Sequence, residues 1–162
     1  RRQRQMCIRD RLSDLVTQAG PRTRAGYPQE AAEFGDIIFV AVPYAATPQV
    51  GRDYGSLMQG KIVIDCGNPY VQRDGEMAAV ALEKGTGVAS AEFLPGVKLV
   101  RAFNALSWVE VNEQAHRKGE LIAIPIAGDD AAHAEWILLE SVELENMGAD
   151  HAEIIQLLKQ NS

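Results

Sequence analysis

Four short apolar runs punctuate the chain, and the longer stretches between them have helical character. Ile37–Val42 (IIFVAV) follows Asp36 and stops at Pro43, and Ile62–Ile64 is bracketed by Lys61 and Asp65. Leu99–Phe103 (LVRAF) is interrupted by Arg101, and Leu121–Ala127 (LIAIPIA) contains Pro125. Uninterrupted Ile and Val suit strands covered on both faces, the situation of a parallel sheet between helix layers. Proline cannot donate to a neighbouring strand, so the fourth run is expected near a sheet edge. The runs begin 25, 37 and 22 residues apart, enough each time for a crossover helix between parallel neighbours. Helices are predicted over Ser13–Ala19, Gln29–Phe34, Thr47–Met58, Gly75–Lys84 and Ala131–Met147, with a brief strand over Arg22–Ala25. Ser13 and Asp129 or Asp130 are candidate N-caps, Pro28 suits an opening turn, and Gly20 and Gly85 suit helix ends. The pattern specifies one doubly wound α/β domain over residues 1–162, with no internal repeat or linker.

Charge and composition narrow the class of partner. The 162 residues carry a net charge of −6, but five of the eleven arginines fall in the leader RRQRQMCIRDR. The rest carries 11 basic against 21 acidic side chains, and an acidic body repels phosphate polymers, which argues against nucleic acid. Two cysteines, Cys7 and Cys66, are too few for a disulfide scaffold, so a reducing, cytoplasmic setting is expected. No apolar stretch approaches the roughly 18 residues of a membrane span.

In doubly wound sheets ligands sit beyond the carboxyl ends of the strands. The loops expected there are Pro43-Tyr44-Ala45-Ala46, Cys66-Gly67-Asn68-Pro69-Tyr70, Asn104-Ala105-Leu106-Ser107 and Gly128-Asp129-Asp130. Pro43 ends its strand sharply and leaves the following amides free to meet a ligand, or simply ends a strand. Asn68 and Asn104 each offer a donor and an acceptor suited to a ribose or carboxamide, and each also fits an ordinary turn. Asp129-Asp130 reads as a helix cap. His116, His133 and His151 lack metal-ligand spacing and the cysteines form no CxxC, so no metal is expected. Neither a GxSxG elbow nor a phosphate loop is present, and Cys66, without a local base, reads as a small buried residue. Gly85-Thr86-Gly87-Val88-Ala89-Ser90 has the look of a dinucleotide fingerprint but follows a helix rather than a strand.

Taken in order, FGDIIFVAVPY, GKIVIDCGNPY, LVRAFNALSW and IPIAGDD resemble the NADPH-dependent reductases of the deazaflavin coenzyme F420, over Leu12 to Trp136. The Val-Pro and Asn-Pro strand ends alone also occur in pyrroline-5-carboxylate reductases and related small-substrate NAD(P) dehydrogenases. The resemblance implies a mostly parallel Rossmann-like domain that binds NADP and passes a hydride between it and the deazaflavin. Val42, Pro43, Tyr44, Asn68 and Pro69 would line the cofactor crevice, and Asn104 to Ser107 would face the nicotinamide and the deazaflavin. Both cofactors bring their own reactivity, so no catalytic acid or base is expected. The chain departs from the family at both ends. Residues 1–11 are basic and lack the family's opening strand and GxGxxG turn, and Arg9 and Arg11 fall near the place of the 2'-phosphate readers. That leader reads as disordered or foreign to the fold, and 137–162 as charged helix unlike the family. The expectation is a domain truncated at its N-terminal strands. As given it is either an NADP-dependent oxidoreductase domain, an inactive fragment, or an α/β remnant that binds no dinucleotide. Ile37–Val42 would then have an unpaired edge that favours homo-oligomers.

Overall fold

The computed structural model describes residues 12–107, 109, 111 and 124–128. Helix α1 spans 12–19. It is followed by α2 (Pro28–Phe34), β1 (Ile37–Val40), a single 3-10 turn (Tyr44–Ala46), α3 (Thr47–Tyr54) and a second 3-10 turn (Gly55–Leu57). Next come β2 (Ile62–Asp65), α4 (Val71–Asp74), α5 (Glu76–Lys84), α6 (Thr86–Phe93), β3 (Lys98–Arg101) and β4 (Ala127–Gly128). The order β1-β2-β3-β4 is that of an α/β fold with a mostly parallel sheet. β1 pairs with β2 from Ile37↔Ile62 to Val40↔Asp65, and β2 with β3 from Ile62↔Lys98 to Asp65↔Arg101, both parallel.

The fourth run lies at an edge, as its proline requires, but β4 runs antiparallel to β3 through Val100↔Gly128 and Arg101↔Ala127. The crossover spacing had suggested a parallel neighbour; an antiparallel edge strand on a parallel sheet needs no such crossover. Pairing begins only past Pro125, which has no N–H to give. β3 ends at Arg101 rather than Phe103, because Phe103 adopts a left-handed backbone (φ 62°) that no strand accommodates. Arg22–Ala25 forms no strand: it follows a turn at 21–22, and Arg24 lies over the Phe34 ring at 4.7 Å. Helix α6 is absent from the sequence reading, which took its opening residues only as a false fingerprint; Gly85, at φ +94°, separates it from α5. Residues 1–11, 108, 110, 112–123 and 129–162, with the predicted helix Ala131–Met147, lie outside the described residues.

The two faces of the strands build separate cores. Val40, Val63, Met58, Leu94 and Ala32 pack on one, with Ile38, Val50, Phe93 and Leu99 against them. Ile62, Ile64, Val100 and Ala102 pack on the other, with Ile37, Cys66, Phe103 and Ile126. A fully buried aliphatic side chain contributes about 1.5–3 kcal/mol, so β2, buried at every position, anchors the sheet. Among the described residues β1 forms the second sheet edge, with Phe39 55% exposed.

Helix α3 reaches the sheet by crossing α6 at close range. A Cβ on Gly51 would stand 1.8 Å from the Phe93 carbonyl oxygen, so only glycine allows the approach. One turn earlier, Thr47 is fully buried and its hydroxyl has no hydrogen-bond partner among the described residues. Gly51→Ala is expected to cost about 3 kcal/mol or more by forcing the helices apart. Thr47→Val, which replaces an unsatisfied hydroxyl by a methyl group, is expected to gain about 1 kcal/mol. Urea unfolding of the two variants checks both signs, and a Gly51→Ala protein as stable as the parent would refute the close crossing.

Candidate functional site

The loops after β1, β2 and β3 converge at one end of the sheet. Pro43 (φ −52°, ψ 134°) turns the chain out of β1 and into the 3-10 turn. Pro43 is exposed and Val42 half-buried against the core. Tyr44, by contrast, is fully buried, its ring edge-on to Phe93 at 6.1 Å. Its hydroxyl sits between the Ser90 Oγ at 3.2 Å and the Thr86 carbonyl at 3.3 Å. Burial pushes this phenol above its ordinary pKa, the Ser90 hydrogen bond opposing. Tyr44 therefore supplies an inner wall, and its side chain points into the core rather than toward the crevice.

Beneath that wall lies a charged pair that the sequence reading passed over. Asp65 closes β2 with no exposed surface, and its register partner Arg101 closes β3 with its side chain 13% exposed. Arg101 Nη1 donates to Asp65 Oδ2, which also accepts the Ser90 hydroxyl at 2.7 Å. The pair clamps one residue from both sides. Asp65 Oδ1 accepts the Gly67 N–H at 2.7 Å, while Arg101 Nη2 donates to the Gly67 carbonyl at 2.8 Å. Gly67 leaves little room for a side chain: a Cβ there would meet Asp65 Oδ1 at 3.0 Å and the Tyr44 ring at 3.2 Å. The signals were an acid ending one apolar strand and an arginine interrupting another, but nothing local in the sequence pairs them.

The clamp sits directly below Asn68 and Asn104. Asn68 Nδ2 donates to the Asn104 carbonyl at 2.7 Å, and Asn104 Nδ2 donates to the Gly67 carbonyl at 3.1 Å. The left-handed backbone at Phe103 turns Asn104 back toward β2, and its ring packs against Phe39 with centroids 5.8 Å apart. Because each amide nitrogen faces a carbonyl, each is fixed as the donor and each Oδ1 is left as an acceptor. Pro69 is buried behind Asn68. Ser107 is exposed and its carbonyl accepts the Val111 N–H at 3.0 Å. Of the residues singled out from sequence, Asn68 and Asn104 are thus in direct contact, and Tyr44 reaches them only through Gly67.

A second carboxylate ties the rim together. Asp74, with a side chain 1% exposed, accepts Arg73 Nε at 2.8 Å and Nη2 at 2.7 Å, the Tyr70 N–H at 3.0 Å and the Ala45 N–H at 3.3 Å. Arg73 Nη2 also donates to the Asn68 carbonyl at 2.9 Å, and the guanidinium lies 5.0 Å over the Tyr70 ring. The Arg73 hydrogen bonds hold the Asp74 carboxyl well below the usual carboxylate range. Both arginines at this rim are thus neutralised by carboxylates.

Cys66 lies half-buried next to the clamp, and burial pushes its thiol up to about 11, the Asp65 charge adding to the rise and Arg101 opposing it. A raised folded value favours folding below the unfolded pKa of roughly 8.5–9, and that contribution disappears as pH climbs toward 11. In a Cys7→Ser background, iodoacetamide is expected to modify the native protein slowly at pH 7–9. The rate should reach half its maximum near pH 11, and a half-point near 8.5 would contradict the burial.

Comparisons with known proteins follow the same outline. Residues 6–69 match the model of the family described as "NADP oxidoreductase coenzyme F420-dependent", a stretch that holds β1, the Val42-Pro43-Tyr44 turn, β2 and Asn68-Pro69. Among solved structures, a proposed F420-dependent NADP-reductase from Arthrobacter sp. FB24 superposes with a TM-score of 0.62 at 16% identity, covering 90% of this chain and 71% of its own. A hypothetical protein from Sinorhizobium meliloti gives a TM-score of 0.62 at 18% identity, over 83% of this chain and 64% of its own. At those identities the likeness is one of fold. No curated protein matches the chain. Over residues 6–69 the chain is thus similar to the family of NADP oxidoreductases that depend on coenzyme F420, and over most of its length it shares a fold with a protein proposed to be such a reductase.

Proposed function

We propose that the chain is the dinucleotide-binding domain of an NADP-dependent oxidoreductase, and that its hydride partner is a deazaflavin of the coenzyme F420 type. The observation that carries this reading is the Asn68–Asn104 pair, two interlocked carboxamides at the carboxyl ends of adjacent parallel strands. The family match supports it, since the matched stretch includes Asn68 and Pro69. Ligands of open parallel sheets settle in this place because the loops there diverge from a common edge.

The chemistry of the groups present fits one half of the dinucleotide. Two neutral acceptor oxygens, Asn68 Oδ1 and Asn104 Oδ1, suit the hydroxyls of a ribose or the N–H₂ of a nicotinamide carboxamide. Arg73 and Arg101 have given their charge to Asp74 and Asp65, so neither offers a free cation to a phosphate. Recognition of the pyrophosphate and the 2'-phosphate accordingly falls elsewhere in the protein. Asn68 and Asn104, with the Pro43 and Pro69 turns beside them, would hold the nicotinamide end. When bound, the two cofactors supply a hydride donor and acceptor pair between them, and the protein's contribution is alignment and exclusion of water. No side-chain acid or base is required of the chain, and none is assigned.

Titration of the purified chain with NADPH, followed by cofactor fluorescence, tests the reading. Saturation in the micromolar range is expected, with Asn104→Ala binding about tenfold more weakly, the loss of one hydrogen bond and of the seat it gives Asn68. Absence of a saturable signal at high micromolar NADPH would leave an α/β domain that binds no dinucleotide.

A further inference from the structure

We infer that Arg101, held by Asp65, is a positioning residue that fixes the orientation of the two asparagine carboxamides; this rests on the reading that this end of the sheet receives the dinucleotide. The geometry is a relay of three contacts. The Asp65 carboxylate and the Arg101 guanidinium grip the Gly67 peptide by its N–H and its carbonyl. That carbonyl is the acceptor for Asn104 Nδ2, and the Asn104 carbonyl is the acceptor for Asn68 Nδ2. The peptide plane that Arg101 sets therefore decides the direction of both side chains. Arg101 itself lies inward, with Nη1 on Asp65 and Ser90, so it acts on the ligand only through the asparagines.

The arrangement also defines what the site accepts. Each carboxamide keeps its Oδ1 and a second N–H beyond these bonds, so the pair can both accept from and donate to a neutral polar ligand. Lysine cannot replace Arg101 in this role. A guanidinium offers its donors as a planar fork that reaches Asp65 and Gly67 together, whereas an ammonium is a single point charge.

Two measurements on the full chain test the inference. In the ligand-free, 15N-labelled protein, side-chain amide exchange of Asn68 and Asn104, assigned from their own substitutions, is expected to be about tenfold or more slower than for an exposed asparagine. Arg101→Lys should bring both to the exposed rate. Met58→Ala, which destabilises the opposite end of the core without touching the network, should leave them slow. Should Arg101→Lys fail to fold, Asp65→Asn, which keeps an oxygen for the Gly67 N–H and removes the charge that holds Arg101, is expected to release the same amides. NADPH affinity should fall about tenfold in Arg101→Lys, and the double variant Arg101→Lys/Asn104→Ala should bind no more weakly than Asn104→Ala alone. Unchanged amide exchange in the variants, equal release by Met58→Ala, or losses that multiply in the double variant would each overturn the positioning role. Amides released in a protein that never bound NADPH would overturn the cofactor reading and uphold the clamp.

Discussion

The end of the sheet that carries the crevice is organised by one buried ion pair. Taking Asp65 and Arg101 out of water is expensive, and the cost is offset only because every partner is within reach: Ser90, the Gly67 N–H and the Gly67 carbonyl complete the set. The pair also explains why neighbouring parts are as they are. α6 must come close enough to deliver Ser90, which requires Gly51 where α3 crosses it. Tyr44 turns inward to share the Ser90 hydroxyl, and the loop after β2 places a small residue, Gly67, in the tight space between Asp65 and Tyr44. Removing one partner of such a pair leaves an uncompensated buried charge, a loss of about 3–5 kcal/mol, so strand register, helix crossing and loop shape depend on it together.

A consequence is that charge at this rim is spent on structure and not on ligands. Arg73–Asp74 and Arg101–Asp65 are closed on themselves, one binding the rim loops to each other and the other binding the strands beneath. What remains beside them is neutral: the two asparagine carboxamides and the exposed Pro43 turn. Such a surface contributes orientation instead of electrostatic force, as the proposed reaction between two cofactors would require. The Cys66 thiol, held protonated beside the clamp, adds no nucleophile to this end of the molecule.

Much of this was legible from residue order. The apolar runs at 37, 62 and 99 became β1, β2 and β3, and helices appeared over 12–19, Pro28–Phe34, Thr47–Tyr54 and Glu76–Lys84 close to where period and caps placed them. Pro125 marked an edge strand because a missing donor is a local fact. Asn68 and Asn104 stood out for the same reason: an amide directly after an apolar strand is visible without knowing its neighbour. α6 was not visible, since Gly85, Gly87 and Ser90 carry no helical signal and the helix owes its place to packing against α3, α5 and the clamp.

The sequence by itself determined that the apolar runs at 37, 62 and 99 are parallel strands beneath helices, and which loops gather at their carboxyl ends, because hydrophobic period and turn chemistry act within a few residues. Only the tertiary structure decided that Asp65 faces Arg101, that Tyr44 turns into the core while Asn68 meets Asn104, and that β4 pairs antiparallel. Those outcomes depend on register between segments some 25 to 40 residues apart, where a shift of one position would send every side chain to the opposite face.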